Sequence, residues 1–197
     1  HTELVHIEEF GKYTKLGATV DDAIGEAFDK VARMMNFPYP GGPEISRLAA
    51  RGNPQTFRLP RPMLNRTDYS FSFSGLKTAV LYATDVKPNW RKSKKYKADM
   101  AASFEQAVVD VLVAKTVRAA NAYNAKSVLI GGGVAANAKL RETMARAVQE
   151  KTKAQYFQPQ LAYATDNAAM IAVAAALAPH TGHDARRRFA DPAWELV

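Results

Sequence analysis

Three consecutive glycines, Gly131, Gly132 and Gly133, directly follow an apolar run from Ser127 to Ile130 and precede a helical pattern that begins near Asn137. No other stretch constrains the chain as much. A buried strand that ends in a glycine turn and re-enters as a helix is an α/β arrangement. The absent side chains let the backbone come close to a ligand, and the next helix offers unpaired N–H groups to an anion.

Three readings of this turn compete. It fits a tight strand-to-helix connection with no ligand. It fits a dinucleotide fingerprint, because Gly131, Gly133 and Ala136 follow G-x-G-x-x-A, but the next strand ends at Phe157, Gln158 and Pro159 without the required acid. It also fits an adenosine-binding turn of the actin-like phosphotransferase type, with Asn137 offering both a donor and an acceptor to a ribose or base edge. The third reading is favoured, and no Walker A pattern is present.

The periodicity around the turn places the remaining elements. Residues 1–20 read as a hairpin and a further strand, broken at Gly11. Thr19 is positioned to cap a helix over 21–35 with Ile24, Phe28, Val31 and Met35 as its apolar stripe. Residues 37–69 are rich in Pro, Gly and Arg and read as loop, with one short helix over 44–50. A long helix is expected over 97–123, with Met100, Phe104, Val108 and Val111 on one face. A helix from Asn137 presents Leu140, Met144 and Val148. A strand over 154–157 and a last helix from Asp166 follow. These elements predict a mixed sheet covered by helices. The segments are 1–50, the opening strands and helix; 51–97, an inserted loop and helical stretch; and 98–197, the remainder with the glycine turn.

Other features narrow the function. The formal charge of +8 favours a phosphate-bearing partner or a solubilising surface. Trp90 and Tyr96 lie among Lys87, Arg91, Lys92, Lys94, Lys95 and Lys97, a pattern that stacks bases or anchors a loop. Arg186, Arg187 and Arg188 form a second basic cluster. Cysteine is absent, which excludes disulfides and thiolate metal sites and fits a reducing cytoplasm. The longest apolar stretch, 168–179, is too short to span a bilayer. Asp22, Glu26 and Asp29 share one helical face, with Glu26–Lys30 and Asp29–Arg33 pairs available, and Gly25 among them implies close packing. Thr165, Asp166 and Asn167 read either as an ordinary N-cap or as one carboxylate of an ion site. The histidines His1, His6, His180 and His183 form no helical ligand pair, and no triad can be built from them. The start at His1, directly into a strand, reads as a truncated beginning.

The order of motifs carries a resemblance. HTELV is followed by GATVDDAIGEAFDKVA, YPGGPEI, FSFSGLKTAV, ASFEQAVVDVL, GGGVAAN and ATDNAAMIA. This series resembles the tRNA threonylcarbamoyladenosine transferases (TsaD, formerly called O-sialoglycoprotein endopeptidases) from His1 to about Leu177. The resemblance implies an actin-like ATPase fold of ribonuclease-H-like lobes, of which this chain is the second, with its inserted segment, the N-terminal lobe being absent. It implies transfer of a threonylcarbamoyl group from threonylcarbamoyl-adenylate to the adenosine after the anticodon of tRNA, with release of AMP. It implies one divalent metal, iron or zinc, and as partners tRNA, the inactive paralogue TsaB and the ATPase TsaE.

Residue by residue, the resemblance makes Asp166 the metal ligand and catalytic residue. Asp29 and Gly42 become substrate-binding positions, with Gly132 and Gly133 in the nucleotide turn and Asn137 on the adenylate. The family's H-x-x-x-H metal ligands lie upstream of His1, so the site is incomplete in this chain, and the fragment alone is expected to be inactive. Ser46 stands where many members carry a carboxylate near the ribose. Asp191, Pro192, Ala193 and Trp194 replace the usual basic ending. A non-catalytic scaffold paralogue is the alternative. A metalloprotease lacks its HExxH here.

Overall fold

The computed structural model of the chain describes residues 1–85, 90 and 93–177. Lys87, Arg91, Lys92, His180, His183, Arg186–Arg188 and Asp191–Trp194 lie outside the described residues. The elements in order are β1 (Glu3–Glu9), β2 (Lys12–Ala18), α1 (Ile24–Met34), α2 (Gly41–Ala49), α3 (Ser74–Asp85), α4 (Lys94–Ala122), β3 (Ser127–Leu129), α5 (Ala138–Lys151), β4 (Gln155–Phe157) and α6 (Ala168–Leu177). A 3-10 turn, Gly133–Ala136, links β3 to α5.

β1 and β2 form an antiparallel hairpin, turning at Gly11 where φ is +87°. The expected further strand is reduced to a single bridge between Thr19 and Phe71. The expected mixed sheet is also corrected. Among the described residues, β1–β2 and β3–β4 are separate two-stranded sheets, the second parallel. A groove of about 500 Å³ separates β1 from β3, lined by Leu4, Ile7, Leu16, Tyr123, Val128 and Leu129, so the two sheets do not join there.

The helices pack around α4. Its Met100, Phe104, Val108 and Val111 are buried against Ile24, Phe28 and Val31 of α1, Ile45 of α2, and Phe71, Phe73, Leu76 and Val80. Phe28 and Phe104 meet edge to face, with ring centroids 5.0 Å apart. Each such buried side chain stabilises the fold by about 1.5–3 kcal/mol relative to exposure. A second cluster joins Val109 and Val113 of α4 to Val128 of β3 and to Leu140, Met144 and Val148 of α5. The predicted faces of α1, α4 and α5 are therefore the buried ones. By contrast, α6 exposes its apolar residues, including Ile171 and Val173.

Several local expectations change. α1 starts at Ile24, not Asp21, and Thr19 does not cap it. The Ile24 N–H donates instead to Oγ1 of Thr2, at 2.9 Å, while the Thr19 hydroxyl closes a turn onto the Asp22 carbonyl. The short helix begins earlier, at Gly41. Trp90 is buried and packs near Tyr96, whose hydroxyl donates to the Ala83 carbonyl. The pair is thus a core anchor and not a base-stacking platform. Among the described residues, no helix is long and apolar enough to cross a membrane.

Candidate functional site

The glycine turn is positioned by β3 and α5. Gly132 takes a φ of +82°, in the region that favours glycine. A methyl group placed on Gly131, Gly132 or Gly133 would meet nothing within 4 Å, so this backbone faces open space. Asn137 follows as the N-cap of α5, its Oδ1 accepting the Leu140 N–H at 2.8 Å.

The Asn137 amide nitrogen points the other way, into a polar knot. Nδ2 donates to Oγ of Ser46 on α2, at 2.8 Å, and to Oε1 of Glu105 on α4, at 2.6 Å. Glu105 is 6% exposed. Burial pushes its carboxyl above the usual carboxylate range, and the hydrogen bonds from Asn137 and Ser46 pull it partly back. One amide thus ties α2, α4 and α5 together beneath the glycine turn.

α2 is tied to α1 by a second carboxylate. The first helical N–H groups lack intrahelical partners, and Pro40 at the N-cap supplies no side-chain acceptor. Oδ1 of Asp29, on α1, accepts the Gly41 N–H at 2.7 Å. Gly41 itself is packed tightly, because an added Cβ would lie 2.3 Å from Cβ of Ala32. Gly42, next along, has open space around its Cα. A Cβ on Gly25 would make only an ordinary 3.9 Å contact with Val134, so the close packing expected at Gly25 occurs at Gly41 instead.

The expected acidic face of α1 does not exist as a unit. Asp22 precedes the helix and holds Lys30 and Lys77. Glu26 pairs with Lys30. Asp29 turns to Gly41, where Arg33 had been expected.

The structure links the elements that carry these positions: Asp29 of α1 holds Gly41, next to Gly42 on α2, and Asn137, which follows the turn at Gly132 and Gly133, holds Ser46 of α2. Asp166 is exposed and precedes α6, and α6 is capped by Oδ1 of Asn167, which accepts the Met170 N–H. Among the described residues, no three His, Cys, Asp or Glu side chains converge, so Asp166 falls short of the several ligands an ion needs.

Three groups escaped sequence reasoning. Glu105 was hidden inside an apolar helix, although a lone carboxylate between Phe104 and Val108 is a signal for a buried partner. Asp21 accepts from the Ser72 and Ser74 hydroxyls and from the Phe73 and Ser74 N–H groups, which absorbs both serines of FSFSG. Lys115 is fully buried, and its Nζ donates to the carbonyls of Asp68 and Ser70.

Fold and site define a mixed α/β chain with an open glycine turn beyond the carboxyl end of a parallel strand, the usual place for a ligand in such sheets. The sequence matches the family described as "TsaD: tRNA N6-adenosine threonylcarbamoyltransferase" over residues 1–173. Three proteins carrying the name tRNA N6-adenosine threonylcarbamoyltransferase are similar to it. That of Bordetella petrii is 52% identical over 179 residues, covering 89% of this chain and 51% of the relative. That of Bacillus thuringiensis (strain Al Hakam) is 50% identical over 182 residues, covering 92% and 52%. That of Ralstonia pickettii (strain 12J) is 46% identical over 204 residues, covering 100% and 58%. The chain belongs to this transferase family. It spans about half the length of these relatives.

Proposed function

We propose that this chain supplies the adenylate-holding part of a tRNA N6-adenosine threonylcarbamoyltransferase of actin-like fold. The observation that supports this reading is the pair of ties that join α2 to α1 through Asp29 and to the helix after the glycine turn through Asn137, within a chain that matches the family from residue 1 to 173. The open backbone at Gly132 and Gly133 receives the nucleotide, and α2, whose start Asp29 orders, is tied to the helix after the turn by the Asn137–Ser46 bond. The chain's own contribution is binding and orientation, which hold an acyl-adenylate so that its carbonyl meets an incoming amine.

A metal, iron or zinc by resemblance, would draw on Asp166 together with ligands from outside the described residues, and would polarise the carbamoyl group. The reaction then passes threonylcarbamoyl to the amine of the tRNA adenosine and releases AMP. The basic charge favours tRNA. TsaB and TsaE are the proposed protein partners, and the cytoplasm is the proposed compartment. Residues 1–50, 51–97 and 98–197 are the proposed segments of the lobe.

The test is nucleoside mass spectrometry of tRNA incubated with threonylcarbamoyl-adenylate, the chain, the family portion it does not span, and the partner proteins. The reading expects threonylcarbamoyladenosine that disappears with Asp29→Ala. Product that persists undiminished in that variant contradicts it.

A further inference from the structure

We infer that Glu105 is a positioning residue that fixes the orientation of the Asn137 side-chain amide, and with it the start of α5 and the glycine turn. This inference deepens the proposed adenylate site and rests on that reading for its functional consequence.

The geometry of the amide carries the argument. An asparagine amide has two orientations that differ by exchange of oxygen and nitrogen. In the observed one, Oδ1 accepts the Leu140 N–H at 2.8 Å, and Nδ2 uses its hydrogens on Ser46 and Glu105, at 2.8 and 2.6 Å. In the exchanged orientation the amide oxygen would face the Glu105 carboxylate, and the NH2 would face the Leu140 N–H. Both contacts would be repulsive. Ser46 has one hydroxyl hydrogen, which it gives to Glu105, so it accepts from Nδ2 and favours the observed orientation only while Glu105 is there to take that hydrogen. The Leu140 N–H, which only donates, and the Glu105 carboxylate, which accepts, together set the orientation, and Glu105 is the side chain among them that a substitution can remove.

Burial sharpens the choice. Glu105 is 6% exposed and sits on an apolar helix face beside Phe104 and Val108. A carboxylate placed there without donors would be strongly disfavoured, so its bond to Asn137 is one the fold keeps. Asn137 immediately follows the turn, and Val134 within that turn packs against α1 near Gly25. Disturbing the amide therefore moves both the α5 cap and the backbone that faces the ligand.

The test combines a titration with AMP as probe and the side-chain amide resonances of Asn137 in ¹⁵N-labelled chain. Glu105→Leu is expected to weaken AMP binding by at least about tenfold and to shift the Asn137 amide signals. Glu105→Gln is expected to restore both to near the unsubstituted chain, because its carbonyl accepts from Asn137 and its NH2 donates to Ser46. Asn137 signals unmoved by Glu105→Leu overturn the inference, as does a Glu105→Gln variant that behaves like Glu105→Leu. Should Glu105→Leu fail to fold, Glu105→Ala in the Ser46→Ala background carries the same test with the same two outcomes. If the unsubstituted chain does not bind AMP, the adenylate reading fails, and the Asn137 signals still decide the role of Glu105.

Discussion

Oδ1 of Asp29 accepts the backbone N–H of Gly41 at 2.7 Å, so a carboxylate on α1 begins α2. The two adjacent glycines therefore predict opposite outcomes. Gly41→Ala drives a methyl into Ala32 and the Asp29 backbone and is expected to destabilise the chain by about 1–3 kcal/mol. Gly42→Ala meets open space within a helix and is expected to leave stability unchanged or raise it by up to about 1 kcal/mol. Denaturant midpoints of the two variants check the contrast.

Asp21 ties the start of α3 to the turn before α1. Burial opposes its ionisation, but the hydrogen bonds from Ser72, Phe73 and Ser74 outweigh it and hold its pKa at about 2, below the ordinary 3.8. A depressed carboxylate stabilises the fold above its unfolded pKa, and that stabilisation is lost as pH falls through the folded value. Asp21→Asn is therefore expected to lower the melting temperature at pH 7. It is also expected to flatten the loss of stability between pH 4 and about 2. Thermal melts across that range measure it, and a variant whose acid limb is as steep as the parent's contradicts it.

Lys115 is buried with its ammonium on the Asp68 and Ser70 carbonyls and 5.7 Å from the Phe71 ring centroid. Burial pushes its pKa down. Lys115→Met removes the charge but strands the Ser70 carbonyl, at a cost of about 1–3 kcal/mol, while the Asp68 carbonyl keeps its bond from Arg118. Relief of the buried charge offsets part of this. Urea unfolding is expected to show a net loss of at least about 1 kcal/mol, and a gain in stability would refute the account of Lys115 as a strut.

Asp166 and Asn167 separate ligand from cap. Asn167 caps α6, and its replacement by Ala is expected to cost about 1 kcal/mol of helix stability. Asp166→Ala is expected to change stability by less than about 0.5 kcal/mol, while abolishing product in the assembled reaction. Equal destabilisation by both variants would make Asp166 part of the cap.

Much of the framework was legible in the sequence. The buried faces of α1, α4 and α5 follow directly from the spacing of Ile24 and Phe28, of Met100 and Phe104, and of Leu140 and Met144. Asn137 was visible as the residue that opens a helix. What was not legible depends on contacts far apart in sequence. Thr2 caps a helix 22 residues later, Asp29 begins α2, and Glu105 reaches Asn137 across 32 residues. Local capping rules assign such roles to neighbours, which is why Thr19 was expected where Thr2 acts. The mixed sheet failed because periodicity identifies strands but not their partners, and β1 and β3 stand apart across a groove.

The proposed function places Gly42, Gly132, Gly133 and Asn137 in one adenylate site. The most direct measurement is an AMP titration of ¹⁵N-labelled chain followed by backbone amide shifts. The account predicts that these four residues move together and fit one dissociation constant, with the residues of the β1–β3 groove unmoved. Shifts confined to that groove, or separate constants for Gly42 and Asn137, would contradict it.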